Sequence, residues 1–100
     1  MTDEAISPLR RRMIEDMEVR GFDAGTQRGY IAAVKNFTVF LGRSPDRATI
    51  EDLRRFQHQR RMQGASAATM NATVSALRFF FGTTLGRGDA EVVRREGDEI

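Results

Sequence analysis

Apolar residues recur at three- and four-residue intervals in four separate stretches of this chain. The longest runs over residues 66–86, SAATMNATVSALRFFFGTTLG, where Met70, Val74, Leu77, Phe81 and Leu85 form one helical stripe. Phe79 and Phe80 fall off that stripe, so this helix is apolar on more than one side, as expected of a helix surrounded by others. Its first turns differ: Ser66, Ala67, Ala68, Thr69, Asn71 and Ala72 are small or polar. One end suits packing and the other suits close approach by something else.

The three preceding stretches read the same way. Ser7-Pro8 is a helix start, with Ser at the N-cap and Pro at the first helical position. The helix that follows carries Leu9, Met13 and Met17 inward, with Ile14 at the margin, and stops near Arg20-Gly21. Phe22, in the short loop after it, is placed to plug the core. A second helix starts near Gly25 or Thr26 and ends at Leu41-Gly42. Tyr30, Val34, Phe37 and Leu41 make its inner face, flanked by Phe40, while Arg28, Ala32, Lys35 and Val39 face away. Gly29 in its second turn costs about 1 kcal/mol of helix propensity relative to Ala, which close approach of another backbone would rationalise. After the turn-rich residues 42–48, Thr49 caps a third helix with Glu51 and Asp52 in its first turn. Ile50, Leu53 and Phe56 point inward; Arg54, Arg55, His58 and Arg61 lie outward; Gly64 ends the helix and Ser66 caps the fourth. Residues 1–6 are expected to be a frayed start, and residues 88–100 a linker or tail with at most one helical turn around Val92 and Val93. No strand pattern and no repeat occurs. The predicted fold is all-α, a compact bundle of four helices.

Composition narrows the picture without changing it. One hundred residues make one small domain. There is no cysteine, hence no disulfide or thiolate metal site. No apolar run nears the roughly 20 residues of a membrane span, and no signal-peptide pattern opens the chain, so a cytoplasmic, nucleoid-associated location is expected. The net charge is +2, yet the isoelectric point is near 9.9. Lys35 is the single lysine; the remaining basic residues are arginines, suited to bidentate phosphate or carboxylate recognition. Acids gather toward the two ends, leaving the segment between Arg10 and Arg87 more basic. Arg10, Arg11 and Arg12 cluster at the helix end that the macrodipole disfavours, which fits either a partner or a solvated face. Nucleic acid is the first partner to consider.

Catalytic parts are missing. The chain has one histidine and one tyrosine; His58 lies on a charged helix face, and no carboxylate pair, metal-ligand set or phosphate-binding glycine loop is present. No metal and no cofactor are expected. Two helix starts do resemble each other, residues 25–30 (GTQRGY) and 66–71 (SAATMN). Each offers free N–H groups, a positive dipole end and small neighbours, the features that attract phosphate. Arg28 and Lys35, one heptad apart, are placed to meet a DNA backbone, and alanine methyls to meet thymine methyls. A structural explanation also covers each residue: Thr26 and Ser66 cap helices, and the alanines admit neighbouring helices.

The order and spacing of these residues resemble the N-terminal SAM-like, core-binding domain of phage-integrase-type tyrosine recombinases. The resemblance covers about residues 8–87. It is carried by Thr26-x-x-x-Tyr30-x-x-x-Val34-x-x-Phe37-x-x-Phe40-Leu41, by Ala48-Thr-Ile-Glu-Asp-Leu53-x-x-Phe56, and by Ser66-x-x-Thr69-x-Asn71-x-x-x-Ser75-Ala-Leu-Arg78-x-Phe80-Phe81. The run Ser-Ala-Leu-Arg-x-Phe-Phe is the most telling, and residues 13–46 look closest to recombinases carried by bacterial mobile elements. The resemblance implies half of a C-shaped clamp on a recombination site, with the second and fourth helices against the major groove. Thr26, Gln27 and Arg28 match the family's DNA-facing start of the second helix; Ser66, Ala68, Thr69 and Asn71 match that of the fourth. Lys35 is added from helix geometry alone. Implied partners are double-stranded DNA, a catalytic domain of the same parent chain and neighbouring recombinase subunits.

The departures matter as much. The family's chemistry needs a nucleophilic tyrosine near the C-terminus of a further domain, whereas Tyr30 sits on an apolar stripe. His58-Gln-Arg-Arg61 spells the family's H-x-x-R in the wrong domain and reads as chance. The chain is thus expected to bind and position DNA without catalysing, as an excised domain or a truncated product. The alternative is a helical protein-interaction module, motivated by Phe79 and Phe80 off the main stripe.

Overall fold

Each helix starts where a side chain satisfies its first free N–H groups. The computed structural model describes residues 7–87; the sequence readings for residues 1–6 and 88–100 lie outside them. Helix α1 (Pro8–Val19) is capped by Ser7, whose hydroxyl accepts from the Arg10 N–H at 3.1 Å. Helix α2 (Ala24–Leu41) begins earlier than its sequence suggests. Its cap is Asp23, not Thr26: the Asp23 carboxylate accepts from the Thr26 N–H at 2.7 Å. A short 3₁₀ turn, Pro45–Arg47, leads to α3 (Ile50–Met62), and Ser66 caps α4 (Ala67–Phe79) as expected. At Gly21 and Gly64 positive φ values of 76° and 96° let the chain reverse. There the next residue's N–H reaches five residues back, Phe22 to Met17 and Ala65 to Arg60, which closes the ends of α1 and α3.

The last element differs from a plain α-helix. After Phe79 the chain widens into a π turn, Phe80–Thr84, with the Leu85 N–H bonded to the Phe80 carbonyl at 2.9 Å. The extra residue per turn allows Phe80, Phe81 and Thr84 all to face inward, each at most 1% exposed. Thr84 ties this turn to α1: its hydroxyl donates to the Asp16 carboxylate at 2.8 Å, and its carbonyl accepts from the Arg12 guanidinium at 2.8 Å. One member of the arginine cluster is therefore a structural tether. Arg87 closes the far side, donating to the Ala48 carbonyl and lying 5.2 Å above the Phe81 ring.

Phe37 sits at the centre, fully buried. Its ring lies 5.1 Å from Phe56, 6.0 Å from Phe81 and 6.5 Å from Phe40. Met13 and Met17 of α1, Leu53 of α3, and Val74 and Leu77 of α4 complete the core. The fold is all-α, with four helices and no strand among the described residues. No described helix is long and apolar enough to cross a membrane.

Asp52 organises the start of α3. It accepts from the Thr49 N–H at 2.9 Å, from Arg55 at 2.7 Å and from Arg43 at 2.8 Å, while its own N–H donates to the Thr49 hydroxyl at 3.0 Å. The Thr49 N–H, helped by Arg43, holds its carboxyl below the usual aspartate range even though desolvation opposes the shift. A depressed carboxyl contributes stability that is complete above its unfolded pKa, about 3.9, and is lost as pH falls through the folded value. Asp52→Asn is accordingly expected to be less stable than wild type at pH 7, with the gap narrowing at pH 3. Urea unfolding at both pH values measures this; an equal gap at the two would contradict it.

Candidate nucleic-acid interface

The start of α2 is shaped by the loop before it. Phe22 folds back so that its ring meets Tyr30 at 5.5 Å and Phe79 at 5.4 Å, and Tyr30 meets Phe79 at 5.8 Å. Arg20 covers the Phe79 ring at 5.6 Å. Phe22 is thus the plug its position suggested, and Tyr30 is a half-buried packing residue. Phe80 is buried and Phe79 is held in this ring cluster, so neither is the bare aromatic that motivated a protein-interaction module.

This packing also fixes where the two helix starts lie. The beginning of α2 sits beside the end of α4. The beginning of α4 lies thirteen residues further back along its own axis, a distance of roughly 20 Å at the helical rise. Residues 26–28 and 66–71 therefore form two separate patches.

On α2 the candidate residues have different surroundings. Thr26 is exposed, with its N–H donated to Asp23. Gln27 is half-buried and spends its amide on the Phe22 carbonyl at 2.9 Å. Arg28 and Lys35 are exposed on the outer face with Ala32. Asp23 changes the phosphate argument at this helix start. Its carboxyl is held below the usual range, first by the Thr26 N–H and further by the Thr26 hydroxyl, with Gly25 and Arg28 assisting. A protein carboxylate thus already occupies the positive end of α2. The weight of anion recognition shifts from the helix end to the Arg28–Lys35 face.

On α4, Ser66 is spent as a cap, accepting from the Thr69 N–H at 3.1 Å, and its hydroxyl also donates to the Thr69 hydroxyl at 3.2 Å. Ala68 and Ala72 are exposed, and Asn71 is half-buried. Gly29 meets no other group: a Cβ placed there has nothing within 4 Å, so packing inside the domain does not explain the glycine. Sequence reading missed Asp23, although an acid three residues ahead of Thr26 is a capping signal.

His58 is exposed in a shallow depression with Phe40, Glu51, Arg54 and Arg55. No cluster of three or more metal-ligating His, Cys, Asp or Glu residues occurs among the described residues. A half-open apolar groove of about 520 Å³ runs between α1 and α2, floored by Met13, Val34 and Phe80, with Arg10 and Lys35 among its lining residues.

Comparison with known proteins identifies the family. The family model described as phage integrase, N-terminal SAM-like domain, matches residues 9–89. A Sinorhizobium fredii protein, y4qK, named as an integrase/recombinase, is 39% identical over 88 residues, which cover 86% of this chain and 29% of that protein. The chain thus corresponds to under a third of that relative's length. No solved structure matches the chain.

Proposed function

The chain belongs to the phage integrase N-terminal SAM-like domain family, and on that premise we propose that it is the DNA-binding unit of a tyrosine recombinase. In this reading it grips duplex DNA through the outer faces of α2 and α4. Strand cleavage and rejoining belong to a catalytic domain of the same parent chain, and neighbouring recombinase subunits bind alongside. The observation that carries the reading is the outer face of α2, where Arg28 and Lys35 stand exposed on either side of Ala32. Two cations with a small residue between them let a helix approach closely while its flanks meet phosphates. On α4, Ser66, Thr69 and Asn71 surround an exposed alanine surface at Ala68 and Ala72, a second place for close approach.

The test uses the 100-residue chain and a fluorescent random-sequence duplex. Arg28→Ala on α2 is expected to weaken binding to every duplex alike, because a phosphate contact carries no sequence information. Ala68→Glu on α4 is expected to weaken it as well, by setting a carboxylate against the phosphates, with the circular dichroism spectrum unchanged. Affinity unaltered by both substitutions would contradict the reading. Loss on one helix alone would confine the contact to that helix.

A further inference from the structure

Two exposed residues on the outer face of α2 have no role inside the domain. Val39 is 73% exposed, one of three large hydrophobic residues left so open among the described residues. Asn36 is exposed too, and its side chain has no hydrogen-bond partner among the described residues. At about 100° per residue, Arg28, Ala32, Lys35, Asn36 and Val39 fall within an arc of about 100°. The residues on the opposite side, Val34 and Phe37, are buried. The two cations and the two orphaned side chains thus share one face, and the apolar member lies one turn beyond Lys35.

The geometry points to Asn36 and Val39 as base-reading residues selective for A·T pairs, with Arg28 and Lys35 holding the adjoining phosphates. This rests on the DNA-binding reading above and adds sequence recognition to it. In the major groove adenine offers an acceptor at N7 and a donor at N6, which the Asn carboxamide matches with its own donor and acceptor. Thymine alone presents a methyl group there, and an exposed branched apolar side chain matches it. Positions i and i+3 on a helix place their Cβ atoms about 5–6 Å apart, a spacing that fits two bases of one pair or of adjacent stacked pairs. Lys35 and Arg28 beside them make a purely protein partner for Val39 the poorer match, because the same face would then bury two cations.

Selection of bound duplexes from a random-sequence library, using wild type, Asn36→Ala and Val39→Ala, tests this. Wild type is expected to enrich an A·T pair at a fixed position. On that selected site, 7-deazaadenine in place of adenine should weaken wild type about tenfold, and deoxyuridine in place of thymine should weaken it severalfold. Asn36→Ala should be insensitive to the first replacement and Val39→Ala to the second, while both keep the wild-type salt dependence. Binding with the same site preference in all three proteins would overturn the base-reading assignment and leave DNA binding standing. Absence of duplex binding by wild type at low salt would overturn both.

Discussion

Phe37→Ala is expected to leave the chain largely unfolded at physiological temperature. Phe37 is 0% exposed and its ring touches those of Phe40, Phe56 and Phe81, so three other aromatic residues from α2, α3 and the π turn meet around it. Truncating such a residue costs about 3–5 kcal/mol in lost burial and cavity formation. Small domains have about 5–15 kcal/mol in total, and one of this size sits toward the lower end. At about 4–8 °C per kcal/mol, the melting temperature should fall by roughly 12–40 °C. Phe37→Leu, which keeps most of the volume, should lose far less. Thermal unfolding followed by circular dichroism gives both values. A drop of only a few degrees for Phe37→Ala would mean that the four rings do not share one core.

The second large effect is expected on binding. Replacing Arg28 and Lys35 together by glutamate should reduce affinity for duplex DNA at least about 60-fold at 0.1 M salt. Each phosphate contact releases close to 0.9 counterion, which is worth roughly eightfold at that salt concentration, and two contacts multiply. Reversal of sign adds repulsion, so the product is a lower bound. Neither residue is part of the core, so unfolding should shift by no more than about 1 kcal/mol. Anisotropy titration of a labelled duplex, beside an unfolding curve for the same variant, separates lost binding from lost structure. Retained affinity in a folded double variant would exclude this face as the contact.

The four helices were legible because their signals are local. Ser7-Pro8, Thr49 with Asp52, and Ser66 each sit within one turn of the N–H groups they satisfy, and the inner stripes follow helical spacing. What the sequence hid depends on other elements. Thr26 looked like a cap because it is a hydroxyl residue beside a glycine, yet the stronger acceptor, Asp23, stood three residues earlier. The stripe through Phe81 and Leu85 assumed a regular helix. The chain instead widens into a π turn, where Thr84 bonds to Asp16 and Arg12, which lie 68 and 72 residues away. Phe79 could not be placed without knowing that Phe22 and Arg20 fold over it. The candidate interface was legible to the same extent. Arg28 and Lys35 are exposed where helix geometry puts them, whereas Gln27 turns to a carbonyl in the preceding loop that no periodicity reveals. Val39 already falls on the outward side of the helical stripe, whereas Asn36 stands out only once the polar side chains around it have been placed.

The central claim is that a cationic helix face meets DNA phosphates, and salt dependence measures that most directly. Affinity of the wild-type chain for a random-sequence duplex, titrated from 50 to 200 mM salt, should give a straight line of log affinity against log salt. Two contacts from Arg28 and Lys35 predict a slope of about −1.8, steeper with any contribution from α4. A slope near zero, or no binding at 50 mM salt, would contradict the account.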